Sequence, residues 1–405
     1  MTLFKRLLII LLLAAPITFC HAQKKEIAQA KTYLKNSSNP QKAEELLITL
    51  LKDSANRSNV RIWTLLLDAV SKQYDQINEQ LYLKQQSDTG KLFNAARRMF
   101  LICESLDSID SQPDKSGKAE LKFRKKHAEK LSAYRGNLFN GGMYFTSKRD
   151  FEQGFNFFDS YLDCARQPLF ADYHYATADK RLPQAAFMAT YCAYRQGNTS
   201  NTLKYADLAK QDTAKLALFH QYLADTYQTL GDTAKLAEHL SAGFTLQPTS
   251  LFFFPRLYDL YFKKGNIQQA LSLCNQALLV DSINNVFSLA KSTALLTLER
   301  YDECITVCDQ IIARNDSLPE AWLNAALAYY NQAVKIDSNP LKARKQRAEL
   351  QSLYRKSLPY MQNYRKLAPK EQSVWGMPLY TIYMNLNMGK EFEEIDSLLR
   401  KTSKQ

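Results

Sequence analysis

This sequence predicts an all-α fold built from a repeated unit, and three observations point to it. Leu, Ala, Lys, Gln and Glu are plentiful while only 12 Gly and 12 Pro occur in 405 residues, a balance that favours helix over strand. Hydrophobic residues make up 46% of the chain, ordinary for a folded protein and too many for a disordered one. The third observation is periodic. "RQGNT" at 195–199, "TLGDT" at 229–233 and "KKGNI" at 263–267 each set a Gly before Asn or Asp, and Gly197, Gly231 and Gly265 are 34 residues apart.

Residues 1–22 stand apart from the fold. Lys5 and Arg6 precede an apolar run from Leu7 to Ala15, Pro16 interrupts it, and Cys20-His21-Ala22 puts small residues at both cleavage-determining positions. That reads as a secretory signal peptide cut after Ala22, with Gln23 as the mature N-terminus and a periplasmic, outer-membrane-associated or secreted destination. A lipoprotein signal through Cys20 is the rival, and Phe19, where a small residue is wanted, argues against it. No later stretch has the roughly 18 consecutive apolar residues of a membrane-spanning helix.

Residues 23–110 read as helical but loose in register. "NPQKAEELLITLL", "RIWTLLLDAV" and "DTGKLFNAARRMFLICESLD" each have a helical apolar period. A polar, basic connector follows at 111–126, marked by Pro113 and Gly117. The array proper is expected over 127–405. With Gly placed at position 15, five registers start at 183, 217, 251, 285 and 319 without slippage. Leu223, Ala224 and Tyr227 fall at 7, 8 and 11, and Pro248 at 32; Ala270, Ala277 and Leu278 fall at 20, 27 and 28 of the next repeat. The fourth keeps Tyr301, Cys304 and Cys308 at 17, 20 and 24 but has Glu299 in place of Gly; the fifth has Trp322, Ala326 and Tyr329 at 4, 8 and 11.

This pattern resembles the tetratricopeptide repeat, in which W-x2-L-G-x2-Y, A-x3-F and P recur every 34 residues. The residue types have physical reasons. Small residues at 8 and 20 let two antiparallel helices approach, large ones fill the space around them, and Gly at 15 takes the left-handed conformation that ends the first helix. Upstream, Gly142, Phe145, Phe151, Gly154, Phe158 and Tyr161 fit a repeat starting at 135, lengthened by about 14 residues around "RQPLFADYHYATADKR". Downstream, the second helix of the fifth repeat is displaced by about 19 residues, bringing Ser357, Met361 and Pro369 to positions 20, 24 and 32. Trp375, Tyr380 and Tyr383 open a last hairpin, whose second helix runs from Phe392 to Leu399, and the polar "LLRKTSKQ" suits an end cap. "LYLKQQSDT", "KFRKKHAEKL" and "YRGNLFNGG" are similar to stretches of exported tetratricopeptide proteins of Gram-negative envelopes, most without an assigned function.

The resemblance implies an α-solenoid, a right-handed superhelix of hairpins whose first helices line a concave groove. It also implies groove positions 2, 5, 9, 12 and 13. In the first clean repeat these are Gln184, Phe187, Tyr191, Tyr194 and Arg195; in the second, Leu218, Gln221, Asp225, Gln228 and Thr229. The third contributes Phe252, Pro255, Asp259, Phe262 and Lys263, and the fifth Glu320, Leu323, Leu327, Tyr330 and Asn331. Aromatics interleaved with a few charges suit a protein or peptide partner. Phe187, Gln221 and Pro255 occupy the positions of the basic residue by which some relatives clamp a C-terminal carboxylate, so that specificity is not expected.

Motifs for catalysis and cofactors are absent: no HExxH, GxSxG, GxGxxG or GxxxxGK[ST] is present, and no cofactor or metal is predicted. His127, His174, His220 and His239 stand beside no evident nucleophile. Cys103, Cys164, Cys192, Cys274, Cys304 and Cys308 form no CxxC pair, and Cys304 and Cys308, four apart on one helix face, read as small packing residues. Without Lys5 and Arg6 the formal net charge drops from +13 to +11, concentrated at Lys115–Lys130 and Lys342–Lys366. Those stretches offer an alternative function, a module binding a glycan or an anionic surface; nucleic acid is a poor candidate for an exported chain. Seven D-[ST]-apolar triplets, among them Asp53-Ser54-Ala55 and Asp232-Thr233-Ala234, are similar to an O-glycosylation motif of exported bacterial proteins and are also ordinary turn chemistry. The expected function is a non-catalytic scaffold.

Overall fold

A computed structural model describes residues 23–402 apart from 36–38, 86, 114–116, 118 and 120. The signal-type segment and its cleavage site lie outside the described residues, as do Lys115, Lys118 and the last three residues of the C-terminal cap. Every regular element among the described residues is a helix. They form two compact units, one ending at Leu230 and the other starting at Gly231.

In the first unit, a helix over 23–35 is followed by Pro40–Lys52, Val60–Tyr82, Thr89–Asp110, Arg124–Ser147, Phe151–Asp163, Leu182–Arg195 and Leu216–Leu230, with shorter helical pieces between. Successive long helices pack on one another, and a single apolar core runs from Ile27 to Leu223. The described residues of the 111–126 connector fall within this unit and mark no division of the chain. The connector's last three residues already belong to the next helix, and Arg124 at that helix's start makes two 2.8 Å hydrogen bonds to the Asp107 carboxylate of the preceding helix.

The second unit contains Thr233–Leu246, Phe253–Lys263, Ile267–Val280, Asn285–Thr297, Tyr301–Arg314, Pro319–Asp337, Arg347–Leu367, Gln372–Asn385 and Gly389–Thr402, again packed in sequence. The repeat starting at 217 is divided between the units, since the boundary falls in its Gly231 turn. The displaced helix of the fifth repeat is Arg347–Leu367. It packs along Pro319–Asp337 with Ser357 and Met361 fully buried, and the short Pro340–Lys345 helix accounts for part of the extra length.

The 34-residue beat has a backbone cause. Gly197, Gly231 and Gly265 have φ of +69°, +73° and +73°, the left-handed region that ends a helix most easily with no Cβ present. The conformation persists where glycine does not: Glu299 (φ +58°) and Arg149 (φ +62°) hold the same position in repeats 285 and 135. Asn198, Asp232 and Asp150 then cap the following helix, their side chains accepting from Asn201 N, Ala234 and Lys235 N, and Gln153 N. Close approach of the paired helices is equally direct. Position 20 donates to the position-8 carbonyl in Cys304 Sγ to Ser292 O (3.3 Å) and Ser357 Oγ to Ala326 O (2.8 Å), all four residues being fully buried.

The inserted segment after Asp163 is structured. It forms a 3-10 turn, Pro168–Tyr173, and one helical turn, Tyr175–Ala178, held by Arg135. The Arg135 guanidinium lies 3.8 Å from the Tyr161 ring centre and 3.9 Å from that of Tyr175, bonds Asp179 Oδ2 at 2.6 Å, and donates to the Tyr161 carbonyl at 3.2 Å. Tyr161 Oη donates to the same carboxylate at 2.7 Å.

Candidate functional site

The groove residues expected from the sequence fall into two sets, one per unit. In the first unit, the Leu182–Arg195 and Leu216–Leu230 helices bring five of them together around Tyr222. Tyr194 stacks on Tyr222 with centroids 4.6 Å apart and a 24° interplanar angle, Tyr191 lies 5.7 Å away, and Phe187 stacks at 6.0 Å. Tyr194 Oη donates to Asp225 Oδ2 at 2.8 Å, and burial together with that bond pushes the phenol up to about 12. Arg195 Nη1 donates to Tyr191 Oη at 2.8 Å while its guanidinium sits 4.6 Å from the Phe151 ring centre. The result is a rigid aromatic surface with a cation at one end and a carboxylate at the other.

Exposure separates the members of this set. Tyr191 and Tyr194 are half-buried, and Arg195 and Gln228 are exposed. Phe187 is buried at 5% exposure, so it supports the surface and is not available to touch a partner. Gln221 is half-buried on the same helix as Tyr222. Tyr222 and Phe151 join this surface from outside the groove positions, Phe151 from position 17 of its repeat. Tyr222 sits at position 6, which faces the neighbouring helix, and aromatic spacing along one chain segment carries no signal for such a cross-helix stack. Beside Tyr194 a cleft of about 110 Å³ opens between Thr199, Thr202, Asp225, Thr226 and Thr229, large enough for part of one side chain.

In the second unit, Phe252 lies under the Arg256 guanidinium at 3.8 Å and Phe262 stacks on Tyr258 at 5.5 Å. Asp259 and Lys263 are exposed on that helix. Leu323, Tyr330 and Asn331 are half-buried on Pro319–Asp337, where Tyr330 packs on Tyr354 at 6.1 Å and reaches Thr381 Oγ1 at 3.4 Å. Tyr330 therefore spends its ring and hydroxyl between helices.

The basic stretches are in part structural. Arg124 pairs with Asp107, Lys130 donates to Ser71 Oγ at 2.7 Å, Arg365 pairs with Glu394 at 2.9 Å, and Lys356 lies over the Tyr329 ring. Among the described residues the six cysteines are buried and in no disulfide, and burial pushes the thiols of Cys103 and Cys274 up to about 12 and that of Cys192 to about 11. Such thiols are poor nucleophiles. Cys304 and Cys308 pack in the core between successive repeats. His127 is buried and stacked on Phe123; burial first, then Lys130 and Lys126, hold its pKa below the ordinary histidine value. Among the described residues, no three His, Cys, Asp or Glu side chains are placed to share a metal ion, and no helix is long and apolar enough to cross a membrane.

No protein-family model matches this chain, and no curated protein matches it. Among solved structures, it is similar to the C-terminal part of a TPR repeat-containing protein from Cytophaga hutchinsonii, with 12% identity over 64% of this chain and 92% of that one and a TM-score of 0.40. It is also similar to a tetratricopeptide repeat protein from Parabacteroides merdae (17% identity, 66% and 97% of the chains, TM-score 0.34). A third is the TPR2AB domain of yeast Sti1 in its complex with an HSP90 peptide (14% identity, 67% and 99%, TM-score 0.23). These low scores carry no weight for function. The fold is of the tetratricopeptide type on the chain's own geometry: paired helices, the left-handed residue every 34 positions, and the position-8 to position-20 contact.

Proposed function

We propose that this protein is a non-catalytic, exported scaffold that binds a segment of a partner protein on the aromatic surface of its first unit. The observation that carries the reading is the Tyr191–Tyr194–Tyr222 cluster. Its rings are fixed by stacking and by the Asp225 and Arg195 hydrogen bonds, and two of them remain partly open to solvent. Rigid Tyr rings lose little conformational entropy on association and dominate protein interfaces when ringed by polar groups. The exposed Arg195 at one end and Asp225 at the other would set the polarity of a bound segment. Export is proposed from the charged, apolar and small-residue succession of residues 1–22.

The test is site-specific. A photocrosslinking residue at Gln228 or Arg195, introduced in intact cells of the native host, should trap one reproducible protein with crosslinks mapping near Tyr194. Tyr191→Ala with Tyr194→Ala should reduce that product about tenfold or more. An unchanged yield in the double variant, with its melting temperature preserved, would remove the aromatic surface as the binding site. Intact mass of the native chain, expected to begin at Gln23, tests export separately.

A further inference from the structure

A polar cleft in the first unit lies apart from the aromatic surface, and the scaffold reading leaves it unused. Gln73, Gln76 and Gln80 sit at i, i+3 and i+7 on one face of Val60–Tyr82, and Lys91, Asn94 and Arg98 repeat that spacing on Thr89–Asp110. The two stripes line a cleft of about 480 Å³, with Gln41 of the Pro40–Lys52 helix on its wall. Residues at this spacing on adjacent helices usually form the apolar seam. Here the seam is carried by others, Val70, Ala95 and Met99 among them, so the amides are an additional surface and not a defective core.

The floor is built. Gln73, 5% exposed, donates from Nε2 to Glu44 Oε2 at 2.7 Å and to the Pro40 carbonyl at 3.4 Å, and accepts from Arg98 Nη2 at 3.1 Å. Arg98 Nε lies 2.9 Å from Glu44 Oε1, so cation and anion neutralise each other within the floor. Around it stand Gln41, Gln76, Gln80, Ser87 and Asn94, uncharged side chains that both donate and accept, beside one charge of each sign, Lys91 and Asp88. Each carboxamide offers an acceptor oxygen and two N–H donors, the same dual character as a hydroxyl. Ile77 is the one aliphatic side chain of the lining, and no aromatic ring takes part. A protein partner anchors through large apolar or aromatic side chains in matching pockets, and this cleft offers none. Its volume falls within the roughly 300–1,000 Å³ of small-ligand sites.

We propose that this cleft binds a neutral saccharide, its hydroxyls paired with the carboxamides of Gln41, Gln80 and Asn94 above the fixed Gln73–Glu44–Arg98 floor. The site requires neither the aromatic surface nor the basic stretches, and it stands if the scaffold reading fails. Titration calorimetry on the purified full chain, with maltotriose, cellotriose and N,N′,N″-triacetylchitotriose as probes, provides the test. At least one should bind saturably, with an affinity that does not change between low and high salt because no ion pair forms. Gln80→Leu with Asn94→Leu should weaken it about tenfold or more, two hydrogen bonds being lost. Gln41→Leu is the second variant, and circular dichroism of each confirms the fold. The proposal is overturned if no probe binds at millimolar concentration, or if binding survives all three substitutions. It is equally overturned if only anionic oligosaccharides bind, with affinity falling as salt rises, or if an uncharged Gly-Ser peptide is the ligand that the substitutions release.

Discussion

Glu104 is a carboxyl placed where ionisation is costly. It lies on Thr89–Asp110, and its Oε1 is buried with no hydrogen-bond partner among the described residues. Burial, reinforced by the Asp163 carboxylate and only partly offset by Arg97, pushes its pKa from 4.5 up to about 8. The folded state therefore binds the proton more tightly than the unfolded chain does. Stability from this group is complete below about pH 4.5 and is lost as pH rises through about 8. Glu104→Gln should leave urea stability nearly unchanged at low pH and raise it by a few kcal/mol at high pH, each pKa unit corresponding to about 1.4 kcal/mol. Parallel pH profiles for the two proteins would contradict this. Nothing in "FLICESLD" announces such a residue. A Glu on an amphipathic helix reads as solvated, and the Asp163 carboxylate that adds to its shift is distant in sequence. The same limit hid Tyr222, and Phe187, expected in the groove from its repeat position, is covered by a ring that repeat position does not see.

Elements were more legible than residues, because helix ends are written locally. Gly followed by Asn or Asp fixed three hairpin turns, and the left-handed backbone at Arg149 and Glu299 shows that packing enforces the turn even where sequence does not favour it. The inserted segment is the opposite case. Its surplus could be counted from the broken beat, but its shape depends on Arg135, buried at 7% exposure on a different helix. Asp179 closes the cluster. Burial works to raise its pKa, but the hydrogen bonds from Tyr161 Oη, Arg181 N and Arg135 outweigh it and hold the carboxyl below its ordinary 3.8. That contribution to stability is present above about pH 3.8 and lost as pH falls further. Arg135→Met keeps most of the volume but takes the paired cation from Asp179, leaving it the Tyr161 and Arg181 hydrogen bonds, and removes both cation–π contacts. A loss of about 3 kcal/mol is expected, in the range for breaking a buried ion pair. Trypsin cleavage after Lys180 and Arg181 should accelerate well before cleavage elsewhere. Uniform acceleration at all sites would mean that Arg135 serves the whole unit and does not specifically pin the insert.

On the scale of the whole chain, what matters is that each repeat is held chiefly by its neighbours, so stability is close to a sum of local terms. The period was legible for the same reason: every hairpin solves one packing problem, so the same residue types return at the same offsets. The N-terminal hairpins blur the beat because their contacts use longer helices such as Val60–Tyr82, and one core still joins them to the clean repeats as far as Leu223. The division at Gly231 carries no such mark, since Gly231-Asp232 looks like the other two turns. Locality has a measurable consequence. Gly142 meets the Phe158 ring so closely that a Cβ there would lie 2.7 Å from its nearest carbon, and that ring is fully buried. Gly142→Ala must then push apart Arg124–Ser147 and Phe151–Asp163, at a cost of about 1–3 kcal/mol typical of overpacking. Amide hydrogen exchange should show lost protection in those two helices, less in Leu182–Arg195, and none in Ile267–Val280 or Tyr301–Arg314. Equal loss in all five would mean that the array opens as one cooperative body, and nearest-neighbour accounting would fail for it.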